Sequence, residues 1–195
     1  AQSYTQTLNN GWLFSESGKN NWLSATVPGT VHTDFLAHRL IPDPYYGANA
    51  DSVQWVETKQ WEYQLSFDCA KEIWKQKNIE LDFEGLDTYA FVYLNDSLLF
   101  TAEDMFLSYS KDVKKLLKKK HNRLKIVFHP IDELIKKNKE LAGITNLPGG
   151  DRVYVRKAQY QFGWDWGPRM VTCGIWKHVK LVGRSEEHTS ELQSP

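Results

Sequence analysis

Apolar and polar residues alternate along several short segments of the chain. Residues Trp61–Phe67 place an aromatic or aliphatic side chain at every second position, and Ile79–Phe83 repeats this pattern between acidic residues. Alternation with a period of two puts the apolar side chains on one face of a β-strand and the polar ones on the other. The two segments are therefore predicted to be half-buried antiparallel strands.

Four further segments have the composition of strands. Tyr89–Leu94 is apolar and rich in aromatic residues, and it is separated from Leu98–Phe100 by the turn-forming pair Asn95-Asp96. Two strand-like runs joined by such a pair predict a β-hairpin. Leu124–Phe128 and Ile175–Val182 predict two more strands.

Helical spacing is confined to two segments. Ile131–Leu141 carries apolar residues at helical intervals after Pro130 and before Gly143, residue types that favour the start and the end of a helix. A shorter helix is predicted at Val31–His38. Many short strands with one or two short helices predict an all-β fold, an antiparallel β-sandwich of the jelly-roll type.

The composition is that of an ordinary globular domain. The 195 residues include 24 Lys or Arg and 24 Asp or Glu, so the formal net charge of +0 favours neither nucleic acid nor an anionic membrane as a partner. No run of about 18 apolar residues occurs, and we predict no membrane span. Cys69 and Cys173 are too few for a metal cluster, and we predict no metal and no cofactor, while their pairing stays open.

The densest aromatic segment is Tyr160–Arg169, where Trp164 and Trp166 flank Asp165 between turn-forming glycines. The apolar C–H face of a pyranose packs well on an indole ring, and its hydroxyl groups can donate to a carboxylate. This combination makes Trp164, Asp165 and Trp166 candidate sugar-binding residues.

Two basic residues precede this segment. Arg156 and Lys157 are positioned in the sequence to add hydrogen-bond donors or to keep Asp165 ionised by their charge. A purely structural interpretation is also open, in which the tryptophans belong to the core and Asp165 caps a turn.

Two other motifs have mainly structural interpretations. In Val27–Asp34, a Pro-Gly turn leads to Thr30 as a helix N-cap, and His32 with Asp34 is a candidate acid/base pair without any accompanying Ser or Cys nucleophile signature. The proline-rich segment Ile41–Gly47 predicts a rigid loop whose tyrosines line a surface for contact with another domain.

Taken in order, the motifs resemble the N-terminal region of β-mannosidases of glycoside hydrolase family 2. The resemblance extends from about Trp12 to Gly183. Its motifs are Val27–Asp34, Ile41–Gly47, Val53–Val56, Trp61–Tyr63, Phe83–Tyr89, Val92–Asn95 and, most specific, Arg156–Pro168.

The resemblance implies a galactose-binding-like jelly-roll domain at the start of a longer enzyme that removes terminal β-D-mannose with retention of configuration. In that family a (β/α)8 barrel supplies both catalytic glutamates, so no catalytic residue is expected in this chain. Trp164 and Asp165 match the position where the domain reaches the mannose pocket, with Trp166 and Arg156 as weaker matches. The implied partners are a β-mannoside or mannose-containing oligosaccharide and the missing barrel and other domains.

The resemblance also suggests where the natural domain ends. Residues 184–195 are polar and without periodicity, and they match the translation of a sequencing-library adapter, so we predict a domain at residues 1–183 followed by an assembly artefact. Alternatives are a stand-alone carbohydrate-binding module and a purely structural domain whose aromatic surface contacts the barrel. The opening Ala1-Gln2-Ser3 predicts export, to the periplasm or outside the cell, after removal of a signal peptide.

Overall fold

Ten β-strands build the domain in the computed structural model, which describes residues 2–144 and 146–185. The strands are β1 (Ser3–Thr7), β2 (Leu13–Glu16), β3 (Leu23–Ser24), β4 (Trp61–Phe67), β5 (Asn78–Phe83), β6 (Ala90–Leu94), β7 (Ser97–Ala102), β8 (Tyr109–Asp112), β9 (Asn122–Phe128) and β10 (Val179–Arg184). They form a four-stranded sheet, β1-β10-β5-β8, and a six-stranded sheet, β3-β2-β4-β9-β6-β7. Neighbouring strands pair in the antiparallel sense.

The main hydrophobic core lies between the two sheets. The inward residues of β4 and β5 are buried, except Phe67, which is half-buried, while the alternating polar residues are not buried, as the sequence pattern predicts. Phe83 of one sheet and Phe100 of the other meet with ring centroids 5.5 Å apart. The predicted antiparallel β-sandwich is thus confirmed.

The hairpin between β6 and β7 is confirmed at its predicted turn. Asn95 and Asp96 both have positive φ angles, of 49° and 70°, which are required at the two central residues of a type I′ turn. Asn95 is further held by its side-chain amide, which donates to the carbonyl of Leu116.

The last strand differs from its prediction at both ends. It begins at Val179 rather than at Ile175, because residues 173–175 pair with loops instead: Gly29 and Val31 donate to the carbonyls of Ile175 and Cys173. The strand continues to Arg184, one residue past the predicted domain boundary, while residues 186–195 lie outside the described residues, and the boundary stays a prediction.

Both predicted helices are present, with two additional short ones in the described ranges. The α-helices are α1 (Val31–Ala37), α2 (Asn49–Ser52), α3 (Lys71–Trp74) and α4 (Ile131–Ala142). Thr30 and Thr33 form a capping box at α1, and Gly143 ends α4 in the left-handed conformation. Helices α2 and α3 have four residues each, too short to show a period in the sequence. None of the described helices is long and apolar enough to cross a membrane.

Helix α4 forms a second, smaller core outside the sandwich. Its buried side chains pack against the segment that leads into and out of the Trp-rich motif. The members of this core are Ile131, Leu134, Ile135, Tyr154, Val155 and Val171, with Tyr89 and Phe162 partly buried against them. The helix therefore fixes the base of the loop that carries the candidate sugar-binding residues.

Candidate functional site

The Trp-rich motif forms a tight turn at the surface. The backbone N–H of Trp164 donates to the carbonyl of Gly167 at 3.0 Å, and the N–H of Gly167 donates back to Trp164 at 3.2 Å. Asp165 and Trp166 occupy the two positions between them. The flanking glycines and proline indicated a turn rather than a continuous strand, and the structure confirms the turn.

Both indoles of this turn are accessible. Trp164 is 51% exposed and Trp166 is 84% exposed, so the interpretation of the two rings as core residues is wrong. The rings meet edge to face with centroids 6.2 Å apart, and the guanidinium of Arg152 lies 5.4 Å from the centre of the Trp164 ring. Large exposed indoles on a constrained turn are suited to contact a ligand or another domain.

The base of the loop 157–172 contains a buried ion pair between Lys157 and Asp87. Lys157 and Asp87 are each 1% exposed at the side chain, and the Lys157 ammonium donates to Asp87 Oδ1. The same ammonium donates to the carbonyl of Thr172 at 2.6 Å. Lys157 thereby connects the start of the loop to its end.

The second oxygen of Asp87 completes this connection. Asp87 Oδ2 accepts from the Thr172 hydroxyl at 2.8 Å and from the Gln161 amide at 3.3 Å. Gln161 Oε1 in turn accepts from the backbone N–H of Thr172 at 3.0 Å. Because a buried carboxylate needs paired donors to offset its desolvation, these bonds fix the loop base in one arrangement.

The outer side of the loop is held by a surface ion pair. Arg169 donates to Glu57 through Nη2 at 2.7 Å and Nε at 3.2 Å, and the amide of Gln54 donates to the Arg169 carbonyl at 2.7 Å. The segment that carries the Trp164 turn is therefore held both at its base, by Lys157 and Asp87, and on its outer side, by Arg169 and Glu57.

The structure corrects the expectation that two basic residues hold Asp165 ionised. Lys157 is buried against Asp87, and Arg156 makes its ion pair with Asp104 at 3.5 Å, with a side chain that is otherwise exposed. Neighbours in sequence point to different sides of an extended backbone, and here each of the two side chains has an acidic partner other than Asp165. Trp164, Asp165 and Trp166 stay together, whereas Arg156 belongs to the loop base.

The candidate acid/base pair does not form. His32 and Asp34 are two residues apart on α1, and side chains at that spacing do not face each other. Asp34 accepts from the backbone N–H of Thr26 at 2.8 Å and lies 3.5 Å from the Tyr63 hydroxyl. Burial raises the pKa of Asp34 to about 6, and burial lowers the pKa of His32 to about 4.

These two residues give the domain a testable dependence on pH. Protonated Asp34 stabilises the fold below about pH 4, and this contribution is lost as the pH rises to about 6. Neutral His32 stabilises it above pH 6.5, and this contribution is lost as the pH falls to about 4. Compared with that of the unsubstituted chain, the free energy of unfolding of Asp34→Asn should therefore rise by about 3 kcal/mol as the pH rises from about 4 to about 6. The free energy of unfolding of His32→Gln should fall by a similar amount, by the same comparison, as the pH rises from about 4 to 6.5.

Urea unfolding at several pH values, followed by tryptophan fluorescence, measures both differences. Asn keeps an oxygen that can accept from the Thr26 N–H, so Asp34→Asn isolates the charge. Difference curves of the same sign for the two variants would contradict the assignment of opposite effects to His32 and Asp34.

The predicted tyrosine loop also lies at the surface. Tyr45 and Tyr46 are 76% and 78% exposed, and the backbone before them is fixed by the Asp43 carboxylate, which accepts from the Tyr45 N–H at 2.9 Å. Tyr45 shares a groove with Tyr160 and Pro168 of the Trp-rich segment. The two motifs therefore form one aromatic surface although more than a hundred residues separate them in sequence.

The sequence interpretation missed the charged residues beneath this surface. Asp87, Gln161 and Thr172 were not singled out, and Lys157 was assigned a different partner. The sequence does contain a signal for this ion pair. Asp87 and Lys157 each lie within a largely apolar or aromatic motif, and a charged residue that is buried in such surroundings needs a partner of opposite charge.

Within the described residues, no group of three His, Cys, Asp or Glu side chains is arranged to hold a metal ion. Cys69 and Cys173 are free thiols.

Comparison with known proteins identifies the domain. The family model described as glycosyl hydrolase 2 galactose-binding domain-like matches residues 12–177. The chain belongs to this family. It is 38% identical over 189 residues to a protein named beta-mannosidase B from Emericella nidulans, covering 92% of this chain and 22% of that protein. The corresponding protein from Thermothelomyces thermophilus is 37% identical over 183 residues, covering 89% of this chain and 21% of its own length.

Solved structures with the same fold agree. A beta-D-mannosidase from Dictyoglomus thermophilum superimposes with a TM-score of 0.88 at 40% identity, over 92% of this chain and 22% of that one. An exo-chitosanase from Amycolatopsis orientalis shares the fold, with a TM-score of 0.68 at 16% identity, over 91% of this chain and 20% of its own. The galactose-binding-like fold and the resemblance to the N-terminal domain of family 2 β-mannosidases are thus confirmed, and the chain spans about a fifth of the length of these relatives.

Proposed function

We propose that this chain is the N-terminal domain of a β-mannosidase, and that Trp164 and Asp165 form part of the wall of its mannose pocket. The similarity to proteins named beta-mannosidase, at 38% and 40% identity, supports this assignment. Retaining hydrolysis requires two carboxyl groups about 5–5.5 Å apart around one glycosidic bond. In the proposed enzyme, both of these glutamates belong to the remainder of the chain.

The outward position of the Trp164 turn is the observation that carries the proposal. A loop whose base is fixed by a buried ion pair presents an indole face beside the carboxylate of Asp165. The indole offers an apolar surface for the C–H face of mannose, and the carboxylate accepts from its hydroxyl groups. A site preorganised in this way binds without the cost of ordering the loop.

A chimera tests the proposed function. The 195-residue chain alone should give no turnover of an aryl β-mannoside above buffer. Replacing the N-terminal domain of the Dictyoglomus thermophilum β-mannosidase, which shares 40% identity, with residues 2–183 of this chain should give a folded enzyme that hydrolyses the same substrate. Steady-state kinetics measure both results.

The matched control is the Dictyoglomus enzyme with its N-terminal domain deleted. Activity of the chimera should exceed that of this truncated enzyme, because the domain contributes pocket residues. Turnover by the isolated 195-residue chain, or a folded chimera no more active than the truncated enzyme, would contradict the proposal.

A second candidate is a stand-alone carbohydrate-binding module. The exposure of both Trp164 and Trp166 favours it, since exposed indole pairs also suit a sugar-binding face that acts alone. This function predicts saturable binding of mannan to the 195-residue chain that Trp164→Ala abolishes. A pocket completed by a barrel would instead bind poorly when half its wall is missing.

Export and the artificial origin of residues 184–195 stay predictions. Resequencing the source DNA across the codon for Gly183, with primers independent of any library adapter, tests the second of them. A reading frame that continues into a barrel would support the enzyme over the stand-alone module.

A further inference from the structure

A groove lies beside the Trp164 turn and is distinct from it. Its volume is about 340 Å³, which is within the range of small-molecule pockets. Tyr45 and Tyr160 lie at its rim, 76% and 71% exposed, and Trp176 and Pro168 contribute further apolar wall. The groove therefore offers aromatic faces on a rigid frame.

Polar groups line the groove among these apolar walls. Asp87, Gln161 and Thr172 contribute to the lining, and their mutual hydrogen bonds hold them in place. The charge of Asp87 is balanced by Lys157, so this part of the groove has no net charge. It therefore selects neither an anion nor a cation.

An unpaired polar atom lies next to this lining. His32 lines the groove, is 97% buried, and its Nδ1 has no hydrogen-bond partner in the described part of the chain. A buried ring nitrogen without a partner is unfavourable, by an amount comparable to a lost hydrogen bond. Because the His32 side chain lines the groove, a ligand hydroxyl group bound there is the candidate partner for this nitrogen.

We propose that this groove is a second sugar site, which binds a neutral pyranose ring between Tyr45 and Tyr160 with a hydroxyl group hydrogen-bonded to His32. Aromatic faces for the C–H surface, the unpaired ring nitrogen of His32 and the absence of net charge together fit a neutral hydroxylated ring. The inference rests on the proposed function for its choice of β-mannosides as ligands, and it extends that function from a terminal mannose to a longer oligosaccharide.

Binding of β-1,4-linked mannobiose to the 195-residue chain tests the proposal. With histidine labelled with ¹⁵N, the Nδ1 resonance of His32 should shift with saturation as the sugar is added. Tyr45→Ala and Tyr160→Ala should each weaken binding by roughly threefold to tenfold, the effect of removing one stacked ring. Both side chains are exposed, so these variants keep the fold, and Tyr46→Ala, at an equally exposed tyrosine outside the groove lining, should leave this binding unchanged.

Three results would overturn the proposal: no binding by the unsubstituted chain, no shift of the His32 resonance at saturation, or a loss on Trp164→Ala as large as that on Tyr45→Ala and Tyr160→Ala. The last result would locate the sugar at the Trp164 turn. The chimera separates this test from that of the proposed function, since β-mannoside hydrolysis by the chimera does not depend on sugar binding by the isolated chain. An inactive chimera with intact binding at His32 would reject the β-mannosidase assignment alone.

Discussion

Replacing Lys157 with methionine should lower the free energy of unfolding by about 3–5 kcal/mol. The substitution leaves the buried Asp87 carboxylate, 1% exposed, without its positive partner. It also removes the donor to the Thr172 carbonyl, so the base of the Trp164 loop loses two connections at once. Few single changes elsewhere in the chain combine an uncompensated buried charge with an unpaired backbone acceptor.

Thermal unfolding measures this effect as a decrease in Tm of about 6–20 °C, given about 2–4 °C per kcal/mol for a domain of this size. The double variant Asp87→Asn/Lys157→Met removes both charges and should regain a large part of the loss. Lys137→Met is the matched surface control, because Lys137 pairs with Glu103 in an exposed position and such pairs contribute about 1 kcal/mol or less.

Two outcomes would contradict this account. A decrease for Lys157→Met no larger than that for Lys137→Met would mean that Asp87 does not depend on its partner. A double variant at least as unstable as the single one would mean that packing of the lysine stem, rather than its charge, is what matters.

Asp165→Asn in the chimera should lower kcat/KM for an aryl β-mannoside by roughly 10-fold to 150-fold. A hydrogen bond to a charged acceptor contributes about 1.5–3 kcal/mol, and the amide that replaces the carboxylate cannot accept equally from two hydroxyl groups. The two side chains have nearly the same shape, and Asp165 lies on an exposed turn, so the fold should not change.

Glu140→Gln is the control for this substitution, since it neutralises an exposed carboxylate on α4, away from the Trp164 turn. Steady-state kinetics at matched concentrations of folded chimera measure both variants. Equal kcat/KM for Asp165→Asn and Glu140→Gln would exclude Asp165 from the mannose pocket.

Local sequence patterns determined most of the secondary structure. The alternation in Trp61–Phe67 predicted β4 at its observed bounds, because a period of two is a property of the strand itself. Asn95-Asp96 predicted the hairpin turn, since both residue types tolerate positive φ angles. Pro130 and Gly143 predicted the limits of α4 for similarly local reasons.

The aromatic turn could be found from sequence but not fully interpreted. Its residue types indicated a sugar, and the ordered motifs indicated the family. Whether Trp164 and Trp166 are buried or exposed depends on what packs against the loop, and that is decided by α4 and by the ion pair of Lys157 with Asp87. Exposure is a property of the whole fold, so no local pattern could settle it.

Long-range pairing was decided by the tertiary structure alone. Lys157 and Asp87 are seventy positions apart, and they come into contact only because the fold places the base of the loop against the segment between β5 and β6. His32 and Asp34 are neighbours in sequence, yet each has its own surroundings on α1 and their pKa values shift in opposite directions. The sequence by itself predicted six of the ten described strands, the hairpin turn and the family, since these depend on local periodicity and residue type, whereas β1, β2, β3 and β8 show no such pattern and were not predicted. Burial, charge partners and the groove at His32 depend on which distant segments meet, and only the packed fold decides that.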